Sequence, residues 1–399
     1  MYVLFSGAML GWTAFVATLT VATVAARSLT GSTVIAGFPL AAGALGQALG
    51  TNLFGRLSAR YGRRLIMVVG PPVSALGAAL ELVGVVLGWY WLLVGGAVFV
   101  GVGIGAIHLA RYTAAELSEE RRRGRAVGLL VWSGMLGSLV GANLVDGAGR
   151  MTEDWLGTAY GGAFLLALAA FLLCWLLFLV ALRPDPSRVA VTTRRAPAVP
   201  GSVGSALRRP AVQLSILALL SAQGAMVLVM TATPLRIDDA GYGLNIVGLV
   251  LSMHAVGMFA FAPLVGRLVD RIGYLPSLAT GMLVTWTSLL LSGIAPYESY
   301  WLLGAGLFLL GLGWSFSFVA GSSMLFASSP AQVRPVVEGW ADSAIWTMVM
   351  LGGISAGILM SAIGYGFLNL VAAGPTLVIL LAVFTVPRLR AELRRLLAM

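Results

Sequence analysis

Two pairs of soft side chains stand out, Met226-Val-Leu-Val-Met230 and, 28 positions on from the first Met, His254-Ala-Val-Gly-Met258. Each pair has i, i+4 spacing, which puts both side chains on one face of a helix. Thioether sulfur and imidazole nitrogen are soft to borderline ligands, and a set of them without a carboxylate suits Cu(I) rather than Mg²⁺ or Ca²⁺. The Met pair alone is weak, because 15 methionines make such a coincidence common and a Met in a membrane helix is usually packing material. A His four residues before a Met is a rarer event in a chain with two His. Met226, Met230, His254 and Met258 are therefore the candidate metal ligands, with copper the ion they suit and no prosthetic group expected.

A second set consists of ionisable residues inside apolar runs: Glu81, His108, Arg111, Asp146 and Asp342. Such groups are costly in hydrocarbon, and they pair with one another, carry protons or line a solute path. Glu81 and Asp146 are candidate proton carriers, and Arg111 and Asp342 candidate gate partners. Each of these also fits a plain ion pair with a neighbour.

The elements that position these residues follow from composition. The 399 residues are 59% hydrophobic and 10% charged, against roughly 25% charged in a soluble domain. At about twenty apolar residues per crossing, the chain reads as an all-α membrane protein with twelve transmembrane helices. The spans fall near 3–25, 32–54, 65–87, 91–112, 126–148, 158–182, 211–233, 244–265, 276–295, 300–328, 339–362 and 366–387. Without water in the bilayer core each run must close its own backbone hydrogen bonds, which makes it a helix. The net charge of +10 is spread between apolar runs rather than gathered on one face, which argues against nucleic acid. Counting alternate loops, 21 arginines lie on one side and three on the other. Cytoplasmic loops accumulate basic residues, so both termini are expected in the cytoplasm. The single cysteine, Cys174, excludes a disulfide framework. The pattern Gly101-x-Gly-x-Gly105 lies inside a span and reads as close helix packing, not as a nucleotide loop.

The polar stretch 183–210 separates two sets of six spans, 1–182 and 211–399. A repeat supports the division: Gly55-Arg-Leu-Ser-Ala-Arg-Tyr-Gly62 follows the second span and Gly266-Arg-Leu-Val-Asp-Arg-Ile-Gly273 the eighth. These segments resemble the signature loop of the major facilitator superfamily, Gly-x-Leu-x-Asp-Arg-x-Gly-Arg-Arg. The resemblance implies two six-helix bundles that rock so that a central cavity opens alternately to each side. It also implies a monomer, gating roles for Arg60, Arg63, Arg64, Asp270 and Arg271, and a place for His108 on a cavity-lining helix. One departure matters: the signature Asp is Ala59 in the first copy and Asp270 in the second.

Within that superfamily the Met and His pairs on the seventh and eighth spans resemble those of the CcoA-like copper importers. The resemblance implies Cu(I) import across a bacterial cytoplasmic membrane. At a rise of 1.5 Å per residue the four ligands are staggered in depth, so a relay is expected rather than one coordination shell, with uptake weakening at acidic pH because His254 must be neutral to ligate. Relatives of that group move riboflavin, so an organic solute such as riboflavin or a drug is the alternative, with the Met and His pairs structural. No nucleophile–base set or carboxylate–His cluster appears at usable spacing, so an enzyme is not expected.

Overall fold

The computed structural model describes residues 1–32, 35–189 and 202–385. It is helical almost throughout. The spans are α1 (Tyr2–Thr30), α2 (Phe38–Tyr61), α3 (Arg63–Val86), α4 (Tyr90–Glu116, with a break at Leu109), α5 (Arg123–Leu156) and α6 (Gly161–Ala181). They continue with α7 (Pro210–Asp239), α8 (Leu244–Ala255, a π-turn Val256–Ala260, then Ala262–Ile272), α9 (Tyr274–Ile294) and α10 (Tyr300–Ser328). The last run, Arg334–Thr385, is broken at Gly364 (φ 72°, ψ 168°), which separates α11 (334–363) from α12 (365–385).

By length and apolarity nine of the described helices qualify as membrane crossings, or ten with the bent pair in α8 taken as one. That tally takes α11 and α12 as one run, and it omits α2, whose many Gly and Ala residues together with Gln47, Thr51 and Asn52 dilute its hydropathy. Counted as helices, the described spans are twelve. The chain is a multi-pass membrane protein.

The repeated loops share one backbone solution. Gly62 (φ 90°, ψ 171°) and Gly273 (φ 88°, ψ 170°) turn α2 into α3 and α8 into α9 in a conformation that side chains with a Cβ rarely adopt. The corner is therefore legible as a glycine at the same place in both copies.

Two compact units emerge. The first holds Met1–Leu117, Ser133–Arg195 and Pro335–Thr347; the second holds Ser118–Trp132, Ala196–Arg334 and Met348–Met399. Each unit thus includes a short segment from the other half of the sequence: the start of α11 in the first, the start of α5 in the second. Residues 190–201 of the 183–210 connection lie outside the described residues.

In the first unit, glycines set the helix spacing. A Cβ on Gly105 would stand 2.8 Å from Thr51 N, and one on Gly101 2.9 Å from Gln47 N, so α4 lies directly on the α2 backbone. In the second unit, α10 packs on α8 in the same way: a Cβ on Gly311 would stand 2.7 Å from Met258 N. Small residues permit this approach where apolar attraction between helices is weak.

Candidate functional site

The first unit carries a polar and aromatic cluster built on α1, α2, α4 and the start of α11. Because Gly101 and Gly105 bring α2 onto α4, Gln47 reaches His108: Gln47 Oε1 and His108 Nε2 are 2.8 Å apart. Gln47 Nε2 donates to Gly43 O at 3.4 Å, which turns the amide oxygen toward the ring, so His108 donates from Nε2. Two indoles frame the imidazole. Trp12 meets it edge-on with centroids 5.4 Å apart, and Trp346 lies tilted over it at 4.8 Å. Gln47 and His108 are buried, whereas both indoles are half-buried.

One turn further along α4 lies a charged pair. At Leu109 the helix tightens, and Tyr112 N donates to Leu109 O at 3.1 Å, leaving the His108 carbonyl for a side chain. Arg111 Nη1 takes it at 2.8 Å. The same guanidinium donates from Nη1 to Asp342 Oδ2 at 2.9 Å and from Nη2 to Asp342 Oδ1, a bidentate fork on a carboxylate. Tyr112 Oη accepts from Arg111 Nη2 at 2.9 Å and donates to Asp342 Oδ1 at 3.2 Å. Arg111 and Asp342 are 5% and 1% exposed.

A second charged layer lies nearer the end of α4. Arg63 pairs with Glu116 (Nε–Oε2, 2.8 Å) and with Glu338 (Nη2–Oε2, 2.7 Å). Gly339 lies between the two layers on α11, where a Cβ would stand 2.6 Å from Thr51 O and 2.9 Å from Gly55 Cα.

The second unit repeats this packing with the other signature loop. Gly128 of α5 faces Ala262 O and Gly266 faces Gly124 O, as Gly339 faces Thr51 O and Gly55 faces Pro335 O. The offset is 211 residues in each case, so Asp270 corresponds to Ala59 and Gly124 to Pro335. Asp270 accepts from Gly124 N (2.7 Å) and Arg125 N (2.9 Å), capping the start of α5. At the matching place on α11 stands Pro335, which has no N–H. The loss of the signature carboxylate at Ala59 coincides with loss of one of its two donors, and the Arg63–Glu338 pair fastens α11 instead. Asp270→Ala is expected to cost about 0.5–2 kcal/mol, the range for an N-cap, while Ala59→Asp gains little. Thermal unfolding of both variants in detergent checks the asymmetry.

The remaining residues singled out from sequence are dispersed. Met230 packs against the apolar cluster that includes Ala225, Val229, Val250 and Leu307. Met226 is half-buried on α7, one turn beyond Gln223, and Gln223 Oε1 accepts from Trp314 Nε1 at 2.8 Å. Trp314 stacks on Phe318 and meets Phe259 edge-on. His254 is buried and its Nδ1 donates to Leu307 O at 2.9 Å. Nε2 has no partner among the described residues. Met258 lies inside the π-turn Val256–Ala260, so the interval from His254 to Met258 does not have the regular helical geometry its spacing suggests. Glu81 is buried behind Gly96 with Oε2 unpartnered among the described residues.

Arg64 donates to Leu179 O and Leu182 O, closing the end of α6. Arg60 is exposed over the Tyr61 ring, and Arg271 is exposed. Asp146 lies on α5, which runs on to Leu156, and is exposed there in an i, i+4 ion pair with Arg150.

Sequence reasoning missed Trp12, Gln47, Tyr112, Trp346, Glu116 and Glu338. The only signal available was the presence of amides and indoles inside otherwise apolar runs.

A two-copy set of membrane helices, with charged layers beside the first signature loop and a polar, aromatic cluster in the same unit, has the makings of a solute transporter. The Major Facilitator Superfamily profile matches residues 2–246 and 214–397, and the chain belongs to that family. The uncharacterised transporter YddS of Bacillus subtilis is 30% identical over 93% of this chain and 85% of its own length. The riboflavin transporter RfnT of Brucella anthropi is 26% identical over 82% of this chain and 80% of its own. Among solved structures, a bacterial homologue of the iron transporter ferroportin superposes with a TM-score of 0.77 at 14% identity, covering 96% of this chain and 98% of that one. The last likeness speaks for the fold alone.

Proposed function

We propose that this transporter moves a planar aromatic organic solute, held against Trp12, His108 and Trp346 with Gln47 and Arg111 as its polar contacts. The observation that carries this reading is the cluster itself: two half-buried indoles in ring contact with an imidazole that an amide fixes in place. Apolar sites with a few placed polar groups are the usual form of small-molecule pockets. Flat rings gain about 0.5–1.5 kcal/mol from stacked or edge-on contacts beyond their buried area. A relative that carries riboflavin supports the substrate class. Trp346→Ala is expected to weaken riboflavin binding by about three- to tenfold, one stacking contact, as measured by equilibrium binding to the purified transporter.

The orientation and mechanism belong to the same reading. The arginine partition supports a bacterial inner membrane with both termini in the cytoplasm. The halves 1–182 and 211–399 then alternate as a monomer, and the Arg63 layer is a cytoplasmic latch. Arg111 lies about 8 Å in from the end of α4 at 1.5 Å per residue, between latch and aromatic cluster.

One observation favours a second reading, Cu(I) transport. Donation from His254 Nδ1 to Leu307 O leaves a buried Nε2 lone pair, and metal-binding imidazoles are commonly oriented by a second-shell hydrogen bond of this kind. On that reading His254→Ala and Met226→Ala both abolish copper uptake. On the aromatic-solute reading Met226→Leu and Met258→Leu leave solute uptake within about twofold, because Leu and Met exchange at little cost in packed positions.

A further inference from the structure

Among the described residues, the buried arginines are Arg63, Arg111 and Arg236. The first two hold carboxylates, Arg63 those of Glu116 and Glu338, and Arg111 that of Asp342. Arg236, 2% exposed, has no acid partner among the described residues. Its Nη2 donates to Ala295 O at 2.6 Å and to Pro296 O at 3.1 Å. The guanidinium also lies against the rings of Tyr297 and Tyr365, 4.8 and 5.1 Å from their centroids. Both hydrogen bonds leave from one nitrogen, so Nε–H and the two N–H groups of Nη1 have no acceptor among the described residues. Neither nitrogen is sealed from solvent. Ring faces lower the cost of burying a cation, but a buried charge is ordinarily matched by an opposite one.

The surroundings select the anion. Arg236 stands near the end of α7 opposite Pro210, Ala295 and Pro296 directly follow α9, and Tyr365 directly follows the break at Gly364. The site therefore lies among the helix ends of the second unit that face away from its signature loop. Aromatic residues gather there. Tyr242 Oη donates to Glu298 O at 2.7 Å, the Tyr242 ring meets Tyr300 edge-on, and Tyr300 lies against Trp301. Tyr297 and Trp301 are exposed. Tyr and Trp are enriched at the depth of lipid headgroups. The neighbouring surface is acidic: Asp238 and Asp239 follow Arg236 on α7, Glu298 follows Tyr297, and all three are exposed. None of the three is in an ion pair among the described residues. A buried cation beside exposed carboxylates, at headgroup depth, suits a zwitterion that turns its phosphate inward and its own cation outward.

We infer that this end of the second unit holds a phosphatidylethanolamine headgroup. The phosphate accepts from the Arg236 N–H groups that the two carbonyls do not take, and the ammonium donates to Asp238, Asp239 or Glu298. Tyr297, exposed on the connection after α9, is the side chain that turns aside to admit the phosphate. A net-anionic headgroup meets the same arginine but is repelled by the three carboxylates, and a choline headgroup brings a cation with no N–H to donate. The bound lipid ties the ends of α7, α9 and α12 together. Neither the aromatic solute nor copper enters this inference.

Native mass spectrometry of the full-length transporter, titrated with phosphatidylethanolamine, phosphatidylglycerol or phosphatidylcholine, tests it. Wild type is expected to retain phosphatidylethanolamine in preference to the other two, and Arg236→Gln to bind it about tenfold more weakly, as for loss of hydrogen bonds to a charged group. The triple variant Asp238→Asn/Asp239→Asn/Glu298→Gln changes exposed residues alone and keeps the test open if Arg236→Gln does not fold. It is expected to lose the preference over phosphatidylglycerol while still holding lipid. Equal retention of the three lipids by wild type would overturn the inference, as would a triple variant that keeps the preference. Arg236→Gln that unfolds more easily yet binds the lipid like wild type would reduce Arg236 to a tie between α7 and the connection after α9. Displacement of the lipid by inorganic phosphate would assign the site to a soluble anion and overturn the lipid as its occupant.

Discussion

Arg111→Ala is expected to destabilise the protein by about 3–5 kcal/mol and to stop transport, because it leaves the Asp342 carboxylate buried without its counter-charge. The size follows from burial. The two side chains are 5% and 1% exposed, so water cannot replace the lost partner, and Tyr112 Oη supplies one hydrogen bond where the fork supplied two. Removing both charges together is expected to cost less than removing one. In Arg111→Met/Asp342→Leu no charge remains to be desolvated, and replacing a buried pair by packed apolar groups is often near neutral. A double-mutant cycle on thermal or denaturant unfolding in detergent therefore shows strong non-additivity. Simple addition of the two single effects would mean that the fork contributes little. Transport by the double variant is expected to remain absent even where its stability recovers, since the solute has lost Arg111 as a polar contact.

Gly339→Val is expected to have the other large effect. A Cβ at this position would stand 2.6 Å from Thr51 O and 2.9 Å from Gly55 Cα. Both are backbone atoms of α2, and no rotamer change removes the clash. Helix α11 must shift away, which stretches the Arg63–Glu338 contact on one side and the Arg111–Asp342 fork on the other. Overpacking of this kind typically costs about 1–3 kcal/mol, and loss of the two charged contacts adds to it. The expected outcome is an expressed, folded transporter with at least about tenfold less uptake, that factor corresponding to 1.4 kcal/mol. Gly353, where a Cβ meets open space, is the control: Gly353→Val is expected to transport normally. Uptake in inverted or whole-cell vesicles at matched membrane expression measures both.

The architecture was legible because its causes are local. Twelve apolar runs, the alternate placement of arginines and two loops that end in a glycine of positive φ are each visible within a short window of residues. The coincidence of Ala59 with Pro335 is also written in the sequence, but its meaning is not: it appears only once α11 is seen packed on the first signature loop and α5 on the second.

The cluster around His108 was largely out of reach. Its members stand at 12, 47, 108, 111, 112, 342 and 346, and spacing along a helix reports only neighbours on the same helix. Nothing in the chain order joins α1 or α2 to the start of α11. His254 and Met258 drew notice because their side chains are chemically distinctive and closely spaced. The chain around them adds a π-turn that no periodicity announces, and it places Met230 among Val, Leu and Ala side chains. The Asp146–Arg150 pair, by contrast, joins two residues four apart on one helix, the kind of contact that spacing does report.

The substrate reading is tested most directly by side-by-side uptake of radiolabelled riboflavin and of Cu(I) in vesicles containing wild type, Trp346→Ala or His254→Ala. The expected result is riboflavin accumulation by wild type, reduced by Trp346→Ala and retained in His254→Ala, with copper at the level of empty vesicles. Copper accumulation that His254→Ala abolishes, with no movement of riboflavin, would contradict it and would place the transported species at the imidazole of α8 instead.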